Sequence, residues 1–354
     1  MDYFVREVQM CEGVQKTAGI KARDDMEEIF VGLGMKPINI STQKREKQNK
    51  LKEHWNTLKN WKIGFDKLNS GDRVFIQFPV IEHSIFLGNY LKNIVNKGVF
   101  IVLIIHDLEI IRWGKRKDAS ITKKIRYQIE ETSALKYCNK IIAHNNFMKL
   151  FLNQLGIKEN KIYTLQIFDY LIPEYDENRM RDRKIEKNLP VIIAGALRPH
   201  KVGYVYNLPE NCEFNLYGVG YEGPVNDKIH YLGSFLPDEI PYVLNGSFGL
   251  VWDVESADTC KGAYGEYLKI NNPHKTSLYL AAGLPVIIWK DAALAEFVRE
   301  EECGILVGSL QDIGKQISEL PEEEYRKLRQ NAEKIGKKLR SGFYTKRILQ
   351  KVIN

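Results

Sequence analysis

The sequence predicts an α/β chain of two Rossmann-like domains, and three observations carry that expectation. Runs of β-branched and aromatic residues alternate with stretches of helical spacing, the alternation restarts after a polar interval, and 354 residues suffice for about two domains. Strands that alternate with helices pair in parallel through right-handed crossovers. Each half should therefore hold a doubly wound sheet covered on both faces.

In the first half the strand-like runs are YFVREVQ (3–9), KPINI (36–40), DRVFIQFP (72–79), VFIVLIIHD (99–107), KIIAHN (140–145) and KIYTLQ (161–166). Helical spacing falls between them, at about 18–33, 44–67, 84–97, 120–138 and 146–155. The run at 99–107 is apolar on both faces until it ends in His106 and Asp107, as a central strand would be. The stretch Pro173–Pro190, PEYDENRMRDRKIEKNLP, has almost no apolar content and reads as an interdomain linker. Beyond it the strands are PVIIAG, EFNLYG, KIHYLG, FGLVWD, PVIIWK and GILVGS, with helices near 237–245, 273–283, 291–302 and 322–339. The expected division is 1–175, 176–335 and a closing segment 336–354. From about Tyr325 to Asn354 the chain reads as a long basic helical segment, suited to packing back on the first domain.

With 44% hydrophobic and 27% charged residues the composition is that of an ordinary soluble protein. The longest wholly apolar run, Val99 to Ile105, is far short of the roughly 20 residues a membrane span needs. MDYFVREVQM lacks the basic start and apolar core of a secretory signal, so a cytosolic location is expected. Cys11, Cys138, Cys212, Cys260 and Cys303 are scattered and form no C-x-x-C pair, which argues for reduced thiols rather than disulfides or zinc.

The net charge of +7 is unevenly spread. Residues 41–67 hold eight Lys/Arg against three Asp/Glu, and 112–126 hold seven against one. Such patches suit phosphate-bearing substrates, an anionic lipid surface or nucleic acid. Leu51, Trp55, Leu58 and Trp61 recur at near-helical spacing among the lysines. Their helix either turns this face to the core or meets an anionic membrane that carries a lipid-linked acceptor. The loop RWGKRK at 112–117 reads either as an acceptor-binding lid or as a solvated charge run.

The stretch YLKINNPHKTSLYLAAGLPVIIW, from Tyr267 to Trp289, opens polar and closes apolar. Asn272 before Pro273 is a helix-start signature, and Gly283 is a natural stop before the strand. The polar cluster thus sits at a helix N-terminus, where free N–H groups and the helix dipole favour an anion, and Lys275 adds a full charge. Arg198 and Lys201 follow strand PVIIAG, and Tyr217, Gly218 and Gly220 end strand EFNLYG. In open parallel sheets ligands bind at the carboxyl ends of strands, so three strand ends here offer phosphate or base contacts. The alternative for each is local: a helix cap, a solvated lysine, an ordinary turn.

On these residues the chain resembles the nucleotide-sugar-binding half of GT-B glycosyltransferases, two Rossmann-like domains facing across a cleft. More narrowly it is similar to the bacterial galactofuranosyltransferase-like family, which includes the glucosyltransferases that extend GlcNAc on serine-rich-repeat adhesins. The likeness extends to VQKTA near the start, FIVLIIHD, Arg198, the LYG turn and the Lys275 segment. It implies a UDP-sugar donor with no other cofactor, no metal-binding D-x-D motif, a glycan acceptor and a homo-oligomer. It also implies that Thr17 lies near the diphosphate or donor sugar. Arg198 and Lys275 would neutralise phosphates, Tyr217 would contact uracil, and Asn271 or Asn272 would bond the diphosphate or ribose. Gly13, Gln15, Thr17 and Gly19 also suit an ordinary turn between strand and helix.

Glycosyl transfer leaves a nucleoside diphosphate, whose charge preorganised cations and helix N–H groups can stabilise without a metal. Asp253-Val254-Glu255 is a D-x-E rather than a D-x-D. Such strand-end carboxylates more often cap loops or hold a sugar hydroxyl than bind metal. An inverting transfer needs a base for the acceptor hydroxyl, and Asp107, ending the most apolar strand, is the first candidate. His106, Glu109, Glu82 and His83 compete, and Asp107 would serve equally as a helix-capping carboxylate.

The reading is a hexosyltransferase that carries galactofuranose or glucose from a UDP-sugar to a sugar hydroxyl. The alternative is a non-catalytic, sugar-nucleotide-binding partner subunit. No nucleic-acid-binding motif accompanies the basic patches, and no G-x-G-x-x-G follows the first strand of either half, which disfavours a nicotinamide enzyme.

Overall fold

The computed structural model describes every residue except 10–19, 43–49, 83, 115–119, 200, 201 and 261. The first part of the chain runs β1 (Asp2–Gln9), α1 (Lys21–Gly32), β2 (Lys36–Thr42), α2 (Lys50–Gly64), β3 (Arg73–Phe78), α3 (Leu87–Asn96), β4 (Phe100–Ile105), α4 (Glu109–Gly114), α5 (Ile121–Tyr137), β5 (Lys140–Ala143), α6 (Asn146–Gln154) and β6 (Ile162–Thr164). There follow α7 (Glu177–Arg181), β7 (Val191–Ala196), β8 (Phe214–Val219), β9 (Ile229–Tyr231), β10 (Gly249–Val251), α8 (Ala263–Leu268), α9 (His274–Ala281), β11 (Val286–Trp289), α10 (Ala295–Glu300), β12 (Gly304–Val307), α11 (Ile313–Glu319), α12 (Glu322–Arg340) and α13 (Phe343–Ile353). Every strand the sequence predicts is present. The first sheet has the order β2-β1-β3-β4-β5-β6 and the second β12-β11-β10-β7-β8-β9, all in parallel pairs.

The chain divides into two compact units. The first holds β1, Met26–Leu165 and Arg347–Asn354; the second holds Gln166–Lys346 with the opening turn of α1 through Asp25. In the first sheet β4 lies between β3 and β5, and Ile101 to Ile105 are at most 1% exposed, which explains a run apolar on both faces. In the second, Leu250, Val286, Ile287 and Ile288 are fully buried for the same reason. Among the described residues no helix is long and apolar enough to cross a membrane. Cys138, Cys212, Cys260 and Cys303 are free thiols, three of them buried.

Four local expectations change. The stretch Pro173–Pro190 is not a bare linker: it forms α7, buries Met180 and Ile185, and its Arg183 donates to Ala282 O at 2.6 Å. Two apolar anchors and a half-buried arginine suffice to seat it on the second unit despite its charge. The helix expected near 237–245 reduces to a single 3-10 turn, Ile240–Tyr242, because Pro237 and Pro241 supply no N–H. The closing helical segment breaks at Gly342, whose φ of +70° ends α12. Asp169 then restarts the helix, its carboxylate accepting from Tyr344 N at 3.1 Å and Thr345 N at 2.7 Å. In α2, Leu58 and Trp61 are buried, but Leu51 and Trp55 are 58% and 56% exposed, so only the C-terminal half of its apolar face reaches the core.

A buried imidazole in the first unit has a measurable consequence. His144 is 1% exposed with Nε2 3.1 Å from Ile105 O, and burial pushes its pKa down from 6.5 to about 4. Between those values the unfolded chain binds a proton that the folded chain does not, so stability rises with pH there and is lost as pH falls from 6.5 to 4. Buried carboxyls such as Glu131, pushed up to about 8, act in the opposite sense over a higher window. The imidazole is therefore isolated by comparison with His144→Gln, which keeps a donor for Ile105. The variant should be spared on the order of 3 kcal/mol of that acid loss, read from denaturant unfolding at both pH values.

Candidate active site

The order β10-β7-β8 in the second sheet sets three strand ends side by side, and all point their carboxyl ends to one edge. The loops leaving that edge carry Asp253, Arg198 and Gly220. At the same edge α9 begins. Its first turn has Pro273 at the N-cap position with ψ of 124°, one residue later than the predicted Asn272 cap, and no side chain caps it. The N–H groups of His274 and Lys275 have no acceptor among the described residues. Gly283, with φ of +71°, closes the helix as expected: its N–H bonds Leu280 O at 2.9 Å, and Leu284 N bonds Tyr279 O at 2.9 Å.

Lys275 does not point freely to water. Its Nζ donates to Asp253 Oδ1 at 2.6 Å and to Trp252 O at 3.2 Å, and the side chain is 16% exposed. An ion pair links the first turn of α9 to the loop after β10. Arg198 is exposed and makes no ion pair among the described residues. Its side chain lies over Gly220, where φ is +79° and an added Cβ would stand 2.6 Å from Arg198 Cγ. Gly220, at one of the strand ends expected to meet the ligand, is thus covered first by the arginine's own stem.

The two asparagines separate. Asn272 is buried and donates through Nδ2 to Gln166 O at 2.8 Å, holding a backbone kink whose φ is +80°. Asn271 is only half-buried, and its Oδ1 has no hydrogen-bond partner among the described residues. Of the pair, Asn271 has the acceptor to spare. Nearby, His274 Nε2 lies 3.3 Å from Asp169 O and its ring stacks on Tyr170 at 5.1 Å. A carbonyl partner makes Nε2 the donor, so Nδ1, unpartnered among the described residues, is an acceptor; burial pushes this imidazole to about 4.

Tyr217 is placed differently from the expectation. It is 1% exposed, its hydroxyl donates to Val243 O at 3.2 Å and accepts from Asn245 N at 3.1 Å. Strand alternation turns this ring inward, and with both hydroxyl functions taken by backbone it ties β8 to the loop before β10 rather than offering a face to a base. The part-exposed rings at this edge are instead Tyr206 and Tyr221, stacked at 5.5 Å, with Tyr206 Oη on Leu197 O at 2.8 Å beside Arg198. Thr17, Gly13, Gln15, Gly19 and Lys201 lie outside the described residues.

Sequence reasoning missed a charge cluster around a buried lysine. Lys21 pairs with Asp25 at 2.7 Å and Asp238 at 2.5 Å, while its Nζ lies 5.1 Å from the Tyr170 ring that stacks on His274. Asp25 also accepts from Leu171 N at 3.0 Å, and burial still pushes it up to about 7. Only the spacing of Lys21 and Asp25 was visible in sequence; Asp238 joins from 217 positions away.

In the first unit, Asp107 follows β4 with its side chain 41% exposed and Oδ2 3.5 Å from Arg112 Nη1. The capping role is filled by another residue: Glu131, buried on α5, accepts from Glu109 N at 2.8 Å and Ile110 N at 2.9 Å. Glu109 pairs with Arg112 at 3.3 Å, and Glu82 accepts from Thr57 at 3.4 Å. His83 and residues 115–117 of the RWGKRK loop lie outside the described residues. Among the described residues no group of three or more His, Cys, Asp or Glu is placed to hold a metal ion.

Comparison with known proteins follows the same two-part division. Residues 3–167 match the family model described as glucosyltransferase 3-like, N-terminal domain, and residues 191–352 match its C-terminal counterpart. Beta-1,6-galactofuranosyltransferase WbbI of Escherichia coli K12 is 40% identical over 291 residues, 81% of each chain. Glucosyltransferase 3 of Streptococcus gordonii is 28% identical over 212 residues, 59% of this chain and 60% of that one. Among solved structures, Anabaena Alr3699/HepE in complex with UDP superimposes with a TM-score of 0.59 at 11% identity, covering 99% of this chain and 98% of the other. That last likeness is one of fold.

Proposed function

The chain belongs to the glucosyltransferase 3-like family, and from that premise we propose that it is a hexosyltransferase. It moves a galactofuranosyl or glucosyl group from a UDP-sugar to a sugar hydroxyl of a cell-surface polysaccharide, lipid-linked glycan or glycoprotein. The observation that carries the donor site is the meeting of Lys275, the open first turn of α9 and the Arg198–Gly220 contact at one sheet edge.

Cleavage of the glycosidic bond to UDP leaves charge on the diphosphate. Lys275, the N–H groups of His274 and Lys275, and the Arg198 guanidinium stabilise that charge as it develops, which lets the reaction proceed without a divalent ion. The unpartnered Oδ1 of Asn271 supports its choice over Asn272 as the residue that bonds a donor hydroxyl. Thr17 keeps the role near the diphosphate that the family resemblance implies. Asp107 takes the acceptor hydroxyl proton; its partial exposure and the presence of Glu131 as the actual cap of α4 support that assignment.

Two finer features belong to the same reading. The exposed Leu51 and Trp55 of α2, among lysines, support a peripheral contact with anionic lipid that bears the acceptor. Homo-oligomerisation rests on the family resemblance. A panel of UDP-sugars with pure protein, scored by UDP release, tests the function: a hexose donor should be turned over and a panel without any turnover would refute it. In the same assay Arg198→Ala should lower kcat/KM about tenfold or more through lost phosphate binding. Its melting temperature should stay nearly unchanged, because the residue is exposed.

A further inference from the structure

The carboxylate of Asp253 has no loop to cap. Among the described residues its one hydrogen-bond partner is Lys275 Nζ at 2.6 Å, and no backbone N–H donates to it. Two of the three N–H bonds of the ammonium are thereby taken, by Asp253 and by Trp252 O. The pair is compact and close to neutral, so the cation that the donor site supplies is already half spent before a diphosphate arrives.

We propose that Asp253 competes with the donor's diphosphate for Lys275, an inference that rests on the donor-site reading given above. An incoming phosphate oxygen either takes the remaining N–H, with a carboxylate held against the same ammonium, or displaces the carboxylate altogether. Both routes set one anion against another, and the 30% exposure of Asp253 lets water receive it on displacement. The carboxylate holds Lys275 at the end of β10 in the empty site, keeps UDP affinity below what the bare cation would give, and reclaims the ammonium as UDP departs.

Titration calorimetry with UDP on the full chain tests this. Asp253→Asn, which keeps shape and hydrogen bond but loses the charge, should tighten UDP by about threefold or more. The same substitution in a Lys275→Ala background should leave the Kd where Lys275→Ala alone put it. Asp253→Ser serves if the asparagine variant folds poorly. An unchanged or weaker Kd for both single variants, with Lys275→Ala still weakening UDP, would overturn the competition and leave the donor site standing. If Lys275→Ala leaves UDP binding untouched, the donor-site reading itself fails.

Discussion

Lys275→Ala should reduce kcat/KM for the UDP-sugar by about 100-fold, the usual loss when one preorganised donor to a developing anion is removed. Lys275 is held by Asp253 and Trp252 O at the end of β10, beside the N–H groups that open α9, so its charge is spent at one point and not along a flexible stem. Folding should be nearly indifferent. The carboxylate that the substitution leaves unpaired is 30% exposed, and water can solvate it. A fall in melting temperature that accounts for the lost activity would instead mean that the Asp253–Lys275 pair is a strut of the second sheet. Circular dichroism melting beside initial-rate kinetics separates the two outcomes.

Asp107→Asn should lower kcat by about 10²–10⁴-fold and leave the Kd for UDP unchanged, because the substitution removes a proton acceptor without altering shape. The corresponding Glu109→Gln change should have a small effect, since the Glu109 side chain is the less accessible, 13% exposed against 41% for Asp107. A UDP Kd that shifts with Asp107→Asn would assign the residue to donor binding rather than to proton transfer. Equal losses from both variants would point to Arg112, which both carboxylates contact.

The strands were legible because parallel strands covered on both faces need uninterrupted apolar runs, and runs such as 99–107 or PVIIW have no other use for so many β-branched residues. Several short helices were not. α4 and α8 span six residues each and α7 five, too few for a 3.6-residue period to register, whereas the equally short α10 fell inside the helical run expected near 291–302. The break at Gly342 was passed over because the basic helical pattern resumes beyond it. At the site, residue types and strand ends were readable, since glycine, arginine and lysine at the carboxyl edge of a parallel sheet follow from topology. Partners were not. The Asp253–Lys275 pair spans 22 positions and Lys21–Asp238 spans 217, distances at which no local pattern exists. Tyr217 misled because a tyrosine at a strand end reads alike whether its ring faces ligand or core. The paired asparagines looked equivalent until Asn272 was found bonded to Gln166.

Calorimetric titration of UDP in the presence of a chelator of divalent ions probes most directly whether the second unit holds a nucleoside diphosphate through its own cations and the start of α9. Binding should persist with the same Kd as in magnesium, and Lys275→Ala and Arg198→Ala should each weaken it about tenfold or more. Binding that vanishes in chelator, or that ignores both substitutions, would contradict the assignment.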